Sequence, residues 1–276
     1  MEAPTSDPTA YVEWPVPPPA RRYVACSWTG GREPRPAASP EPILPDGCID
    51  IIWDGERLFV AGPDTMPNRA AGSGRFAVGV RFRPGAAPRF LGVPADELRD
   101  QRLDLDCFWN DASVIADRLA ACVTLRDAAA VLENSIGRRL PDVDEPDSVV
   151  EAALRRWRRG AARADIAGLA DGAAISERQL HRRFVRSVGY GPRLLHRVLR
   201  LQAFLDLCAS SRAGLAELAF RAGYADQAHL SRETRELAGR TPAELRAVRG
   251  PVRNVQDSSP RSQVVLVTES LRKELL

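Results

Sequence analysis

Two stretches in the second half of the chain place polar and cationic side chains along one face of a predicted helix. Between residues 176 and 188, Arg178, His181 and Arg182 recur at i, i+3 and i+4, while Leu180 and Phe184 point the other way. Between residues 226 and 238 the equivalent outward face consists of Gln227, Ala228, Ser231, Arg232 and Arg235. Exposed guanidinium groups donate hydrogen bonds to guanine edges and to phosphates. Both stretches are therefore candidate helices for contact with duplex DNA.

These polar faces also admit a simpler interpretation, in which the arginines are only solvated. Arg178, Gln227 and Arg235 could contact phosphate without reading a base. His181 could be an ordinary surface residue beside the DNA, and His196 and His229 are expected to be structural. The repeat that contains the arginines decides in favour of DNA contact for Arg182 and Arg232.

That repeat consists of two copies of a helix, a tight turn and a second helix. The copies match at an offset of fifty residues through the pairs Leu180/Leu230, Arg182/Arg232, Gly189/Gly239 and Pro192/Pro242. Ser176 and Gln179 form a predicted capping box at the start of one second helix, and Asp226 caps the other. Gly223 is expected to end the preceding helix in a left-handed conformation. Two such copies indicate one supersecondary unit used twice.

The copies are joined by a third predicted helix, "GPRLLHRVLRLQAFLDLCA". Nineteen residues of α-helix span about 28 Å. Because duplex DNA repeats about every 34 Å, this helix could set two recognition helices into successive major grooves.

At this point the chain resembles the double helix-turn-helix domain of AraC/XylS-type transcriptional regulators. The resemblance covers residues 150–248 and is most specific in "LAELAFRAGYADQAHLSR" followed by "GRTPAELR". It implies base contacts from Arg178, His181 and Arg182 in the first unit, and from Gln227, Ala228 and Arg232 in the second. The chain departs from the family at Ala174, which replaces a turn glycine, at Thr234, which replaces a buried phenylalanine, and at Ala228, which offers no hydrogen bond.

The first half of the chain has a different character. Residues 1–22 are proline-rich and predict a flexible arm, whereas 23–140 contain alternating strand patterns such as "FAVGVRFRPG" followed by two helices. "ILPDGCIDIIWD" resembles a domain of unknown function found ahead of such DNA-binding domains. We therefore predict an α+β protein: a β-rich, barrel-like sensor or dimerisation domain (23–140), a linker (141–147), an all-α double helix-turn-helix domain (148–248) and a flexible tail (249–276).

The two helices that end the first half are predicted to support a homodimer. They span about residues 111–123 and 124–139, and their apolar residues exceed what one small sheet requires. Those residues are Val114, Leu119, Val131, Leu132 and Ile136.

Charge and composition agree with this division. Residues 1–140 carry 16 arginines and 19 acidic residues, whereas 141–250 carry 19 arginines and 14 acidic residues. The basic excess lies where a polyanionic partner would bind. Five scattered cysteines without a C-x-x-C pair indicate reduced thiols, and no apolar run is long enough to span a membrane. We expect a cytoplasmic protein without membrane contact.

The remaining reactive residues do not predict an enzyme. All three histidines lie in the second half, so the strand region lacks the histidine ligands of a metal site. Asp46 and Asp50 form either a carboxylate pair or, as we favour, a turn aspartate and an outward strand aspartate. Arg81 and Arg83 are interpreted as a solvated face rather than an anion site. Neither a cofactor nor a metal is predicted.

The leading hypothesis is a sequence-specific transcriptional regulator that binds double-stranded DNA. Further candidate partners are a small-molecule effector, a second copy of the chain and RNA polymerase. One alternative is a DNA-tethered enzyme of the alkyl-transfer repair type, which would need a reactive cysteine. Another keeps the DNA-binding half but makes the first half a pure protein-interaction module.

Overall fold

The computed structural model describes residues 11–31, 42–68, 76–158 and 165–249. The predicted tail beyond residue 249 and the first ten residues of the predicted arm lie outside these ranges. No helix in the described ranges is both long and apolar enough to cross a bilayer.

The first half is organised around one antiparallel sheet. Its six strands lie in the order β1-β2-β5-β3-β4-β6. They are β1 (Val12–Trp14), β2 (Val24–Gly31), β3 (Ile49–Trp53), β4 (Leu58–Ala61), β5 (Phe76–Phe82) and β6 (Arg102–Asp104). Because β1 and β6 do not pair within the described residues, the sheet is open rather than a closed barrel.

Helices cover one face of this sheet. Helices α1 (Ala87–Leu91), α2 (Ala112–Ala120) and α3 (Leu125–Gly137) follow β5 and β6 in the chain, and α3 packs against β2 and β5. The period-2 pattern places Val78, Val80 and Phe82 under the helices, and each is fully buried. The alternation expected for β5 is therefore confirmed.

The predicted proline-rich arm is packed where it is described. Residues 12–14 form β1, which pairs with β2, and Pro18–Ala20 form a 3₁₀ turn. Val16 is only 2% exposed and Ala20 only 5%. The composition predicts poor packing, but the apolar residues between the prolines instead reach the core of the sheet domain.

The second half is entirely helical among the described residues, as predicted. A 3₁₀ turn at Leu140–Asp142 precedes α4 (Ser148–Arg158). The remaining helices are α5 (Ile166–Gly172), α6 (Glu177–Val188), α7 (Pro192–Ser210), α8 (Leu215–Arg221), α9 (Gln227–Ala238) and α10 (Pro242–Arg249). Helix α7 has the 19 residues expected for the helix that joins the two copies.

The two halves share an interface. Helix α6 packs on a 3₁₀ turn at Ala95–Glu97. Leu44, in the loop before β3, is 8% exposed and joins the apolar core formed by α7, α8 and α9. Next to it, Nε2 of Gln202 donates to the carbonyl of Pro45 at 2.6 Å. The sheet domain thus contributes a side chain to the core of the helical half.

Candidate nucleic-acid interface

Helix α6 begins and ends where the sequence predicts. The capping box is formed, with the N–H of Gln179 3.2 Å from Oγ of Ser176 and the N–H of Ser176 2.8 Å from Oε1 of Gln179. The turn before it places Ala174 at φ +52°, in the left-handed region that disfavours any residue with a Cβ. The N–H of Ile175 then bonds back to the carbonyl of Ala170 at 3.0 Å. The turn therefore forms without the family's glycine, and the backbone of Ala174 is strained locally.

Helix α9 has the same local design with glycine in the turn. Gly223 has φ +86°, and the N–H of Tyr224 bonds back to the carbonyl of Ala219 at 2.9 Å. Oδ1 of Asp226 accepts the N–H of His229 at 2.6 Å and caps the helix. The ring of Tyr224 is buried, so the break between α8 and α9 is fixed by packing as well as by hydrogen bonds.

The predicted DNA-contacting residues lie at the surface of α6 and α9. Seven of the eight are exposed and Ser231 is half-buried: Arg178, His181, Arg182, Gln227, Ala228, Ser231, Arg232 and Arg235. Oγ of Ser231 donates to the carbonyl of Gln227 at 2.9 Å. The ring of His181 rests against Gly191, where an added Cβ would come within 2.4 Å of Cε1.

The four arginines of this set differ from those that face the protein. Within the described ranges, Arg178, Arg182, Arg232 and Arg235 form no salt bridge with an acidic side chain, so their donors remain available. By contrast, Arg183 lies 3.3 Å from Asp147. The sequence pattern alone does not separate these two sets.

Sequence analysis missed a buried carboxylate on the inner side of α9. Glu233 is 7% exposed, and Oε1 lies 3.0 Å from Nε of Arg197 and 2.6 Å from Nη2 of Arg200. Nε2 of His229 is 3.3 Å from the same oxygen. Because both arginines belong to α7, these ion pairs hold the second recognition helix against the joining helix. The i, i+3 spacing of Arg197 and Arg200 was the available signal.

The remaining inward positions behave as expected. Leu230, Thr234 and Leu237 are buried, and Oγ1 of Thr234 lies 3.3 Å from the carbonyl of Ser231. His196 is buried and packs edge-on against Trp157, with ring centroids 5.4 Å apart. The structural roles expected for His196 and His229 fit this arrangement.

Arg81, which we interpreted as part of a solvated face, is half-buried against Asp50, which we interpreted as an outward strand aspartate and which is buried. Asp50 is opposite Arg81 in the β3–β5 pair, with Nε of Arg81 3.2 Å from Oδ1. Nε1 of Trp28 donates to the same carboxylate at 2.8 Å. Burial raises the pKa of Asp50 to about 6, although Arg81 opposes this effect. The outward face of the sheet is covered near Arg81, which a period-2 pattern cannot reveal.

The helices predicted to form a dimer mostly cover their own sheet. Leu119, Leu132 and Ile136 are 2–3% exposed and belong to the core of the first half. Val131 is half-buried, whereas Val114, at 58% exposure, and Val123, at 95%, project outward. The apolar surplus that motivated the dimer is therefore small.

Comparison with known proteins agrees with the two-part organisation. Residues 169–247 match a family described as a helix-turn-helix domain, and residues 14–104 match a domain of unknown function, DUF6597. A Streptomyces lividans protein assigned as an AraC-like transcription regulator is 26% identical, aligned over 70% of each chain.

The solved structures that resemble this chain have lower sequence identity to it. ToxT from Vibrio cholerae is 11% identical with a TM-score of 0.44, covering 87% of this chain and 98% of that one. The C-terminal domain of AraT, a response regulator from Geobacillus stearothermophilus, is 20% identical with a TM-score of 0.38. It covers 41% of this chain and 94% of its own. At these scores the identification rests on the sequence matches.

The capped helix pairs and the family match define a DNA-binding protein of the helix-turn-helix class. More narrowly, its helix-turn-helix domain is of the AraC type, and the chain is a transcription regulator with the DUF6597 domain ahead of that domain.

Proposed function

We propose that the two units read two different base sequences in successive major grooves of one asymmetric DNA site. The observation that carries this proposal is that Arg178, Arg182, Arg232 and Arg235 are exposed on α6 and α9 without an acidic partner among the described residues, a property that Arg186 on α6 shares. An arginine held in an internal ion pair would have to break that pair to bind DNA, whereas these four need not.

The outward sets of the two units differ, which supports separate sequence preferences. The first unit offers Arg178, His181 and Arg182, and the second offers Gln227, Ala228 and Arg232. Since α7 is about 28 Å long, the two sites would be centred about one duplex turn apart, or about 10 base pairs.

The first half would then regulate this binding through a small molecule, a second copy or both. The DUF6597 match assigns no ligand, so this role is inferred from its position ahead of the DNA-binding domain. Within α2, Val114 is the large apolar side chain that remains exposed for contact with a second copy. A contact with RNA polymerase belongs to the same proposal.

The thiols give no support to the DNA-tethered repair enzyme. Burial raises the pKa of Cys26 and of Cys122, and desolvation with the neighbouring Asp106 raises that of Cys107. A raised pKa reduces the thiolate fraction that an alkyl-transfer nucleophile requires.

The test is a binding-site selection on the full chain and on single arginine variants at one fixed salt concentration. Arg182→Ala should relax base preference at one end of the site, and Arg232→Ala at the other. Each should lose about 1–3 kcal/mol of discrimination if the arginine is bidentate to guanine. Arg235→Ala should weaken all sequences alike and reduce the salt slope by about 1, as a phosphate contact does.

Arg118→Ala is the matched control, because it removes the same charge from an exposed position on α2 in the first half. It should leave both affinity and base preference unchanged. If Arg182→Ala and Arg232→Ala blur the same base positions, or blur none, the two-site arrangement is wrong.

A further inference from the structure

A cavity of about 240 Å³ lies between the sheet and α3 in the first half. Its walls come from residues 16–20, from Val24 and Val80 on the sheet, and from the end of α3 through Leu140. Most of the lining is apolar, and Asn134 lies at its exposed rim. An engineered apolar cavity of about 150 Å³ binds benzene, so this volume suits a single ring with a short substituent.

One carboxylate interrupts the apolar lining. The side chain of Glu133 is 7% exposed, and its Oε1 accepts from Oγ of Ser27 at 2.5 Å and from Nη1 of Arg126 at 2.6 Å. The guanidinium of Arg126 is in turn held over the ring of Trp14, 5.1 Å from its centroid. These contacts fix the carboxylate in place.

The second oxygen of Glu133 is less occupied than the first. Oε2 has only a long contact of 3.4 Å with Nη2 of Arg126. A carboxylate oxygen can accept two hydrogen bonds, so Oε2 retains capacity for a further donor. A ligand carboxylate could not donate to Oε2 and would have to compete with Glu133 for the guanidinium of Arg126.

We propose that this cavity binds a small molecule with a compact apolar body and a hydroxyl or amino group that donates to Oε2 of Glu133. The inference rests on the proposed regulatory role of the first half and specifies the chemical class of its effector: a neutral or cationic hydrogen-bond donor rather than an acid.

The cavity is positioned to influence the DNA-binding half. Ala20 lines the cavity, and Arg22 follows it by two residues in the chain. Nη1 of Arg22 donates to Oε1 of Glu145 at 2.5 Å. Nη2 of the same arginine lies 4.0 Å from Glu151 in α4. On the other side of the cavity, Leu140 runs directly into the linker. A ligand that moves either wall would therefore move groups that hold the start of α4.

The experiment measures binding of three probes with the same ring, namely benzyl alcohol, benzylamine and benzoate, to the full-length protein. Calorimetry and thermal unfolding at millimolar probe concentration should give saturable binding of the alcohol or the amine and none of benzoate. Binding of benzoate as strong as that of benzylamine, or no binding of any probe, would overturn the proposal.

Two variants locate the site. Glu133→Gln keeps the side-chain shape but removes the charge, and it should weaken benzylamine binding about tenfold or more while affecting the alcohol less. Gly137→Leu adds volume at a cavity-lining position where an added Cβ meets nothing within 4 Å, so the protein should fold normally and lose both probes. Unchanged binding to Gly137→Leu would place the probes elsewhere and contradict the assignment.

DNA binding by the same preparations separates the two proposals. A chain that selects a duplex sequence but binds no probe refutes the cavity assignment alone. A chain that binds the probes but selects no duplex sequence refutes the DNA-binding function instead.

Discussion

The end of the first recognition helix is buried against the sheet domain, whereas the matching end of the second is exposed. Both α6 and α9 finish at a left-handed glycine, Gly189 with φ +96° and Gly239 with φ +63°. A Cβ at Gly189 would come within 2.5 Å of Pro63, but one at Gly239 would reach only 4.0 Å from Pro67. The carbonyl of Gly189 also accepts from Nη1 of Arg99 at 3.3 Å. The same local sequence has therefore been placed in two different environments.

The two units are consequently held by different forces. The first is fixed by close packing and by burial of Tyr190, which is 2% exposed. The second has its own apolar core with α7 and α8, and it is held in addition by the ion pairs of Glu233 with Arg197 and Arg200. An internal repeat thus conserves how a helix starts and stops, but not what positions it. This difference can be tested unit by unit.

The largest effect is expected from Glu233→Gln, which removes the buried carboxylate from Arg200 and leaves Arg197 with only the exposed Glu236. Loss of one member of a buried ion pair typically destabilises a protein by about 3–5 kcal/mol. Glu236→Gln is the matched control, because Glu236 also pairs with Arg197 but its side chain is 62% exposed. It should lower the free energy of unfolding by less than about 1 kcal/mol. Urea unfolding of both variants measures the contrast, and equal losses would show that burial of Glu233 does not matter.

The next effect compares the two helix ends directly. Gly239→Ala should lose about 1–2 kcal/mol, the usual penalty of a left-handed residue with a Cβ. Gly189→Ala should lose about 1–3 kcal/mol more, because its Cβ would also overlap Pro63 and the carbonyl of Ala95, which lies 3.1 Å away. The measurement is the difference between the thermal midpoints of the two variants. Indistinguishable midpoints would mean that α6 is not held by the sheet domain.

The smallest effect is a gain in stability in the first turn. Ala174→Gly relieves the strain at φ +52° but adds flexibility to the unfolded chain, so we expect a net increase of about 0.5–1 kcal/mol. The converse change in the second unit, Gly223→Ala, should destabilise because φ is +86° there. Thermal unfolding of the pair should give shifts of opposite sign. A loss of stability in Ala174→Gly would show that the alanine is not strained.

Local signals account for what the sequence predicts well. The Ser176–Gln179 box and the turn at Gly223 each depend on residues that are close together in the sequence, and both form as expected. The exposure of the DNA-facing residues follows from the same helical spacing, although their contact with DNA stays a prediction.

Features that depend on distant partners were missed or misjudged. Asp50 and Arg81 are 31 positions apart and meet only because β3 and β5 pair in that register. Glu233 is covered by a helix whose placement no local pattern specifies. The packing of residues 11–22 likewise depends on β2 and α3, since proline content describes the chain and not the surface that it meets.

The place of Leu44 has a consequence for how such proteins can be recombined. The linker at residues 141–147 is the natural point at which to join the sensor half of one relative to the DNA-binding half of another. Yet Leu44 comes from the sensor half and belongs to the same buried apolar cluster as Phe204 and Leu230 in the core of the other. A chimera joined at the linker would keep an intact chain but pair that core with a foreign loop. A compatible graft must therefore exchange the loop at residues 42–47 together with the helices that it touches.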